Sequence, residues 1–512
     1  MLSISHVLVR ARALYSNHLA IWDGDTKLSY QELGQRVDAL VGALKAMGLR
    51  KGDRIAVMDV NSHRYLECYY AAAQTGIIMI PMNSRLAPLE VAYVLNDAGA
   101  KALFVSGRFW PIVRDAQPKL NSVESLVVYE MDTIPADARN YETLIAEATP
   151  DSTIEPSELD DLCNIYYTSG TTGEPKGVCL TYRNMTASML DSAIGLGLSY
   201  RDVWMHAAPM FHLVDAWAVW SIPLLGGTQV PMHFDPIRFL TLIQLTRTTA
   251  VALPPTLINM VCQSPRIQDF DLSSLRLIMF GGSPAPTEVL QRAAQTIPVN
   301  YVHAYGVTET SGIATLQRPE DTLKKAGSAG HPVAHVELTL ANDDQSPVPT
   351  GSIGEVLVRG ERVMKGYWNK QKATAEALRD GWYHTGDMGY FDEAQDLYIV
   401  DRKKDMIITG GENVYSVEVE NILSSYPAIM EVVVIGVPDA LWGEAVKAIV
   451  VLRPGFTCSE LDLINYCREN IAAYKAPKSI DFYPEPLPRT NTGKLAKRSL
   501  RERFWKDKAS AI

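Results

Sequence analysis

A helical repeat from Ser29 to Met47 that runs straight into a strand-like run at Arg54 constrains this fold more than any other feature of the sequence. Leu33, Val37, Leu40, Val41, Leu44 and Met47 share one helix face. Ser29 and Glu32 stand at capping-box spacing at its start, and Gly48 supplies a residue able to turn left-handed at its end. Arg54 to Val60 then reads as a strand, and helical and short apolar segments keep alternating through Ile77–Pro81, Ala102–Val105 and Leu126–Tyr129. Such alternation predicts layered α/β architecture. The 512 residues exceed what one hydrophobic core serves, so more than one domain is expected.

A second pattern begins after Asp401: a charged stretch, the Gly410-Gly411 pair, a helix expected from Val417 to Ser425, and strands near Val432–Val437 and Ala448–Leu452. It reads as a compact α+β unit. Charged, glycine-bearing segments are where domain boundaries tend to fall, which places the boundary near Arg402 and predicts domains 1–401 and 402–512.

Composition narrows the class. The chain is 47% hydrophobic and 21% charged, near globular averages, and its net charge of -10 gives no general attraction to nucleic acid or anionic lipid. Any phosphate recognition must therefore come from a local site. The six cysteines include no C-x-x-C pair and no metal-ligand spacing with histidine, which suits a reducing, cytoplasmic setting. Arg10 and Arg12, with no acid before Asp23, faintly resemble an organelle transit segment; the preferred reading is an N-terminal helix packing through Val7, Leu8 and Leu14. The apolar run Leu213–Leu225 is interrupted by Asp215 and Pro223, so no membrane span is expected. The basic stretch Lys494–Lys508, with Leu500, Phe504 and Trp505 interleaved, is expected to be a solvated terminal helix in preference to a membrane contact.

The strongest chemical signal is Tyr167 to Gly177, YTSGTTGEPKG. The small residues, Gly170 and Gly173 among them, leave backbone N–H groups free to wrap an anion. Hydroxyls of Thr168, Ser169, Thr171 and Thr172 can donate to phosphate oxygens, and Lys176 adds positive charge where pyrophosphate charge builds up. A Walker loop needs glycine before its lysine and a helix after it. Here Pro175 precedes Lys176 and Val178–Leu180 reads as a strand, which disfavours a P-loop NTPase.

This loop resembles the phosphate-binding signature of the adenylate-forming (AMP-binding) superfamily, which includes acyl-CoA and aryl-CoA ligases, peptide-synthetase adenylation domains and luciferases. The resemblance covers nearly the whole chain. It implies a large multi-sheet N-terminal α/β domain and a small mobile α+β C-terminal domain with two active orientations. Tyr305–Thr310, YGVTET, resembles the family motif beside the α-phosphate: Tyr305 flanks adenine, Gly306 beside it is ATP-binding, Thr308 contacts phosphate, and Glu309 with Thr171 holds Mg²⁺. GGSPAP, with Gly281, Gly282 and Ser283, is similar to the segment against adenine and the acyl tunnel. Asp387 in YHTGD and Arg402 in DRKKD match the residues that bind ribose. Lys494 in PLPRTNTGKL matches the lysine that neutralises carboxylate and phosphate during adenylation, and Lys404 falls at the hinge position. Gly410, Gly411 and Glu412 in GGEN resemble the loop that closes over the pantetheine arm, which favours coenzyme A over a tethered carrier domain.

The acid-binding residues are less sharply marked. Met210–His212 resemble the family's F-H pair, where His212 either orients the carboxylate or packs in the core. Asp215 departs from the glycine common at that offset and either meets a polar substrate group or faces away. Trp217, Trp220 and Met232 either narrow an apolar tunnel or belong to the core. The implied activity is ATP-dependent ligation of a carboxylic acid, fatty or aryl, to coenzyme A through an acyl-adenylate, with Mg²⁺, in a setting such as fatty acid metabolism. Two rivals are loading of a carrier protein and non-catalytic acyl or nucleotide binding. A serine hydrolase is disfavoured, because GGSPA ends in Ala285 where G-x-S-x-G needs glycine. No nucleic acid partner is expected, and a homodimer is left open.

Overall fold

The computed structural model describes residues 3–168, 175–282, 287–342, 344–410, 412–439, 441–489 and 495–505. The chain divides into two compact units: the first is Met1–Pro284 with Gln291–Leu338 and Val358–Tyr383, the second Ala285–Leu290 with Thr339–Leu357 and His384–Ile512.

The expected helix forms over Tyr30–Ala46 with its capping box intact: Ser29 accepts from the Glu32 N–H, and Glu32 accepts from the Ser29 N–H at 2.7 Å. It precedes the strand Arg54–Met58, whose residues Ile55 to Met58 are all fully buried. Burial on both faces is what a parallel strand covered by helices requires. This strand lies within an eight-stranded sheet ordered Gly366–Tyr367, Lys176–Thr181, Leu162–Thr168, Ile78–Pro81, Arg54–Met58, Ala102–Ser106, Ser125–Tyr129, Ala138–Asn140. Its interior is parallel, and the two strands flanking the glycine-rich segment are antiparallel. A second sheet of the first unit brings Asn300–Tyr305, Leu277–Gly281, Ala250–Leu253, Val203–His206 and Thr228–Pro231 side by side in parallel. Several of their C-terminal ends carry the segments singled out in the sequence, the usual place for ligand chemistry in parallel sheets.

The N-terminal helix runs Val7–Tyr15 and buries Val7, Leu8 and Ala11. Leu14 does not pack as expected: it is 58% exposed, while Tyr15 beside it in the same turn packs against Tyr30. Arg10 donates to the Leu224 carbonyl and Arg12 pairs with Asp38 at 2.6 Å, so both arginines are engaged by the body of the unit.

In the second unit, Gly443–Leu452 pairs with Ile429–Asp439, Ile407–Thr409 and Ser479–Phe482. Strand alternation serves two cores here. Val432, Val434, Val446, Ala448 and Val450 face the helices Ser416–Ser424 and Glu460–Asn470, while Val433, Ile435, Ile449 and Val451 face Leu487 and Leu500. The C-terminal helix Lys497–Trp505 is thus a packed element and not merely a solvated one: Leu500 is fully buried and Trp505 donates its indole N–H to the Gly436 carbonyl at 3.1 Å. No described helix is long and apolar enough to cross a membrane.

Candidate active site

Thr168 stands directly opposite Lys176 on paired antiparallel strands, so the glycine-rich segment joins two strand ends held in register. Lys176–Thr181 is a strand, as expected, and not the helix a Walker loop would start. Ser169, Gly170, Thr171, Thr172 and Gly173 lie outside the described residues.

The outer edge of Lys176–Thr181 is covered by Gly366–Tyr367, with Tyr367 opposite Val178. The Trp368 N–H donates to the Gly177 carbonyl at 2.7 Å and the Lys365 N–H to the Cys179 carbonyl at 3.0 Å. This edge strand puts the Tyr367 ring 5.1 Å from Lys176 Nζ, within cation–π range, and the Tyr367 hydroxyl donates to Glu309 Oε1 at 2.8 Å. Burial, then the Glu309 charge, push the Tyr367 phenol far above its ordinary pKa, so it stays a donor. Lys176 and Glu309 are therefore brought together around one tyrosine. The sequence reading missed Tyr367. Its signal was an aromatic in a strand-like Gly-Tyr-Trp run, with nothing local to tie it to Glu309.

Glu309 sits in a short 3₁₀ turn, Thr308–Thr310, that follows the strand Asn300–Tyr305. Tyr305 ends that strand, Gly306 opens the turn, and Ser311 closes it in the left-handed region at φ 54°. The Val307 N–H donates to Thr310 Oγ1 at 3.1 Å, and the Ala314 N–H returns to the Tyr305 carbonyl at 2.8 Å. Glu309 Oε2 has no hydrogen-bond partner among the described residues. Among those residues there is also no His/Cys/Asp/Glu cluster able to hold a metal by itself. A lone carboxylate of this kind fits Mg²⁺ bound mainly through substrate phosphates.

The loop after Val203–His206 lies in the same unit. The Val214 side chain is 3.1 Å from where a Cβ on Gly282 would stand, so this loop and the Gly281-Gly282 pair adjoin. Gly281 itself needs no ligand to explain it, since a Cβ there would lie 2.2 Å from the Ala304 carbonyl oxygen of the neighbouring strand. Ser283 lies outside the described residues. His212 is half-buried with its ring 4.4 Å from that of Phe211.

Asp215 is part of the buried core. It is fully buried, accepting from the Trp204 indole N–H at 2.9 Å and meeting His206 Nδ1 at 2.5 Å. His206 Nε2 meets Gln229 Oε1 at 3.1 Å, Gln229 donates to the Tyr70 hydroxyl, and Tyr70 donates to the Val219 carbonyl. Trp217, also fully buried, stacks edge-on against Trp204, and Trp220 does so against Tyr69 and Tyr70. These tryptophans and Met232 are core.

In the second unit, Asp387 and Arg402 are cross-strand partners, with Arg402 Nε 3.0 Å from Asp387 Oδ1. Asp387 is buried and Arg402 is 45% exposed, so the pair presents its cationic side to solvent. Lys404 follows in a turn where burial lowers its pKa. The Gly410 N–H donates to the Trp442 carbonyl at 2.9 Å, and Glu412 begins the exposed edge strand Glu412–Val414. Gly411 and Lys494 lie outside the described residues, although Leu495 pairs with Arg489.

Comparison with known proteins places this arrangement. The feruloyl-CoA synthase of an Amycolatopsis species is 39% identical over 500 residues, covering 96% of this chain and 97% of that one. The long-chain fatty acid–CoA ligase FadD13 of Mycobacterium tuberculosis is 35% identical over 502 residues, covering 97% and 98%. The crystal structure of the anthranilate CoA ligase AuaEII in complex with anthranoyl-AMP superposes with a TM-score of 0.90 at 28% identity, covering 98% of this chain and 97% of that one. The family model of AMP-binding enzymes matches residues 8–368 and that of the AMP-binding enzyme C-terminal domain matches residues 418–494; with the adenylate-forming fold, the chain belongs to the AMP-binding enzyme family.

Proposed function

We propose that this enzyme is an acid–thiol ligase that joins a carboxylic acid to coenzyme A at the expense of ATP, releasing AMP and diphosphate. The observation that carries the reading in this chain is the grouping of Lys176, Tyr367 and Glu309 beside the strand ends that flank the glycine-rich segment. The substrate carboxylate attacks the α-phosphorus, the bond to diphosphate breaks, and the thiol of coenzyme A then displaces AMP from the mixed anhydride. Hydroxyls and N–H groups of Thr168 to Gly173 wrap the phosphates, and Lys176 balances the charge that develops on the leaving diphosphate. Thr308 contacts the α-phosphate, Gly306 binds ATP beside it, and Tyr305 and the Gly281–Ser283 segment flank adenine. Glu309 and Thr171 would hold Mg²⁺, which supplies charge neutralisation across the phosphate oxygens. His212 orients the acid. Asp387 and Arg402 bind ribose, Lys494 completes adenylation, and Gly410 to Glu412 line the path of the pantetheine arm once a C-terminal domain starting near residue 402 turns about Lys404. A fatty or aryl acid is the proposed substrate, and the cytoplasm the proposed setting for six unpaired thiols. Light scattering tests the homodimer left open by the sequence.

Two substitutions examine the site. Glu309→Gln keeps the shape but removes one charge, so acid-dependent ATP–diphosphate exchange is expected to fall sharply at fixed Mg²⁺ while the fold survives. Near-normal exchange in the folded variant removes Glu309 from the metal site. Tyr367→Phe removes the bond that orients Glu309 and is expected to cost roughly tenfold in exchange, the scale of one hydrogen bond to a charged group. The activity itself is tested by screening fatty, aryl and short polar acids for coenzyme A-dependent AMP release. Transfer to a carrier protein but never to free coenzyme A would replace the acceptor, and the absence of acid-dependent exchange would leave only binding.

A further inference from the structure

The Glu309 turn is held by one short segment at several points. The Met364 N–H donates to the Glu309 carbonyl at 2.8 Å, and the Tyr367 hydroxyl binds the Glu309 carboxylate. Between the turn and the core lies Arg362, whose side chain is fully buried. Its Nη2 donates to the Ser311 carbonyl at 3.0 Å and to Ser188 Oγ at 2.9 Å, and its Nε is 3.4 Å from the Thr310 carbonyl. Ser311 answers by donating its hydroxyl to the Arg362 carbonyl at 2.8 Å, and Ser188 Oγ donates to the Ser311 carbonyl at 2.9 Å.

The ion-pair partner of Arg362 is Asp191, also buried, at 3.3 Å and through one nitrogen only. Asp191 is satisfied independently by His335 Nδ1 at 2.7 Å. Two of the four contacts of the guanidinium fork are therefore directed at main-chain carbonyls of the turn, and a third at Ser188, which itself binds the turn. A buried ion pair contributes little to stability compared with a well-packed apolar replacement. A planar cation with donors in several fixed directions is suited to holding backbone carbonyls in one geometry.

We propose that Arg362 is a positioning residue for adenylation: it fixes the Thr310 and Ser311 carbonyls and so sets where Glu309 and Thr308 point. This rests on the reading of Glu309 as the carboxylate that meets Mg²⁺. Ser311 occupies the left-handed region, where a non-glycine residue is held against its own preference, and the Arg362–Ser188–Ser311 bonds hold it together with the Ser311 N–H to Thr308 carbonyl bond at 3.0 Å. Partners one step behind a metal-binding side chain typically cost 10–100-fold in metal affinity or activity when lost.

The test uses Arg362→Lys, which keeps a cation for Asp191 but cannot reach two carbonyls and Ser188 at once. Mg²⁺·ATP and metal-free ATP binding are measured by calorimetry, and the Mg²⁺ dependence of ATP–diphosphate exchange is measured beside the KM for the acid. The expected result is a rise of roughly tenfold or more in the Mg²⁺ half-saturation, a matching loss of Mg²⁺·ATP affinity, and an unchanged affinity for metal-free ATP and an unchanged KM for the acid. Ser188→Ala, which leaves the Arg362–Asp191 pair intact, should move the same quantities in the same direction by less, and it decides the matter if Arg362→Lys fails to fold. Equal weakening of both forms of ATP, or a fall in kcat with every half-saturation unchanged, overturns the proposal. Glu309→Gln run in parallel separates the two ideas. If it moves the Mg²⁺ half-saturation and the Arg362 and Ser188 variants do not, only the positioning proposal falls; if it does not move it, the reading of Glu309 falls and the proposal with it.

Discussion

Lys494→Ala is expected to slow acyl-adenylate formation by roughly 10²–10³-fold, the range for removing one preorganised electrostatic donor, while supplied acyl-adenylate is still converted to thioester at close to the parent rate. Adenylation brings two anionic partners together, the acid carboxylate and the α-phosphate. A lysine between them lowers a barrier that the second step, attack by a thiol on a mixed anhydride, does not contain. Gly411→Leu is expected to show the opposite pattern, because a branched side chain there obstructs the thiol arm without touching the first step. Both residues belong to the segment following Arg402, so the comparison isolates two uses of one part of the chain. Each half-reaction is assayed alone, by diphosphate exchange and by thioester formation from preformed acyl-adenylate. Equal impairment of both halves in both variants would rule out the two-orientation mechanism.

Asp215→Ala is expected to destabilise the first unit by about 2–6 kcal/mol, at about 1–3 kcal/mol for each buried donor left without its acceptor. The variant strands two donors at once, the Trp204 indole N–H and His206 Nδ1, in a region closed to water. Asp215→Asn retains an acceptor for one of them and should lose less. Thermal unfolding of the two variants reads the order. An alanine variant that melts with the parent, or one that merely exchanges one preferred acid for another at unchanged stability, would put the carboxylate back in the acid pocket.

The sequence displayed what is encoded locally. The capping box at Ser29 and Glu32, the strand after Lys176 and the strand at Val432–Val437 are each written within a few residues, and each is found. What it concealed is held by partners far apart in the chain. Tyr367 lies 58 residues from Glu309, and Arg362 lies 52 from Thr310 and 171 from Asp191. No periodicity or motif spacing reports such bonds. Asp215 shows a middle case: the residue was visibly unusual, yet its two possible surroundings differ only in the fold, where Trp204, His206 and Gln229 close around it. Leu14 failed for a simpler reason, since apolar character alone does not say which side chains of a helix find a partner.

The sheet of the second unit, with one core on each face, has a practical consequence for nonsense alleles and shortened expression clones. A chain ending before Leu500 would lose Leu500 and Phe504 from the layer formed by Val433, Ile435, Ile449 and Val451, opening to water the part of it that Leu487 does not cover. Such a product would be cleared or would clump even where Lys494 is retained. Loss of activity on trimming the C-terminus is therefore a statement about solubility first, and only full-length point variants can speak about chemistry.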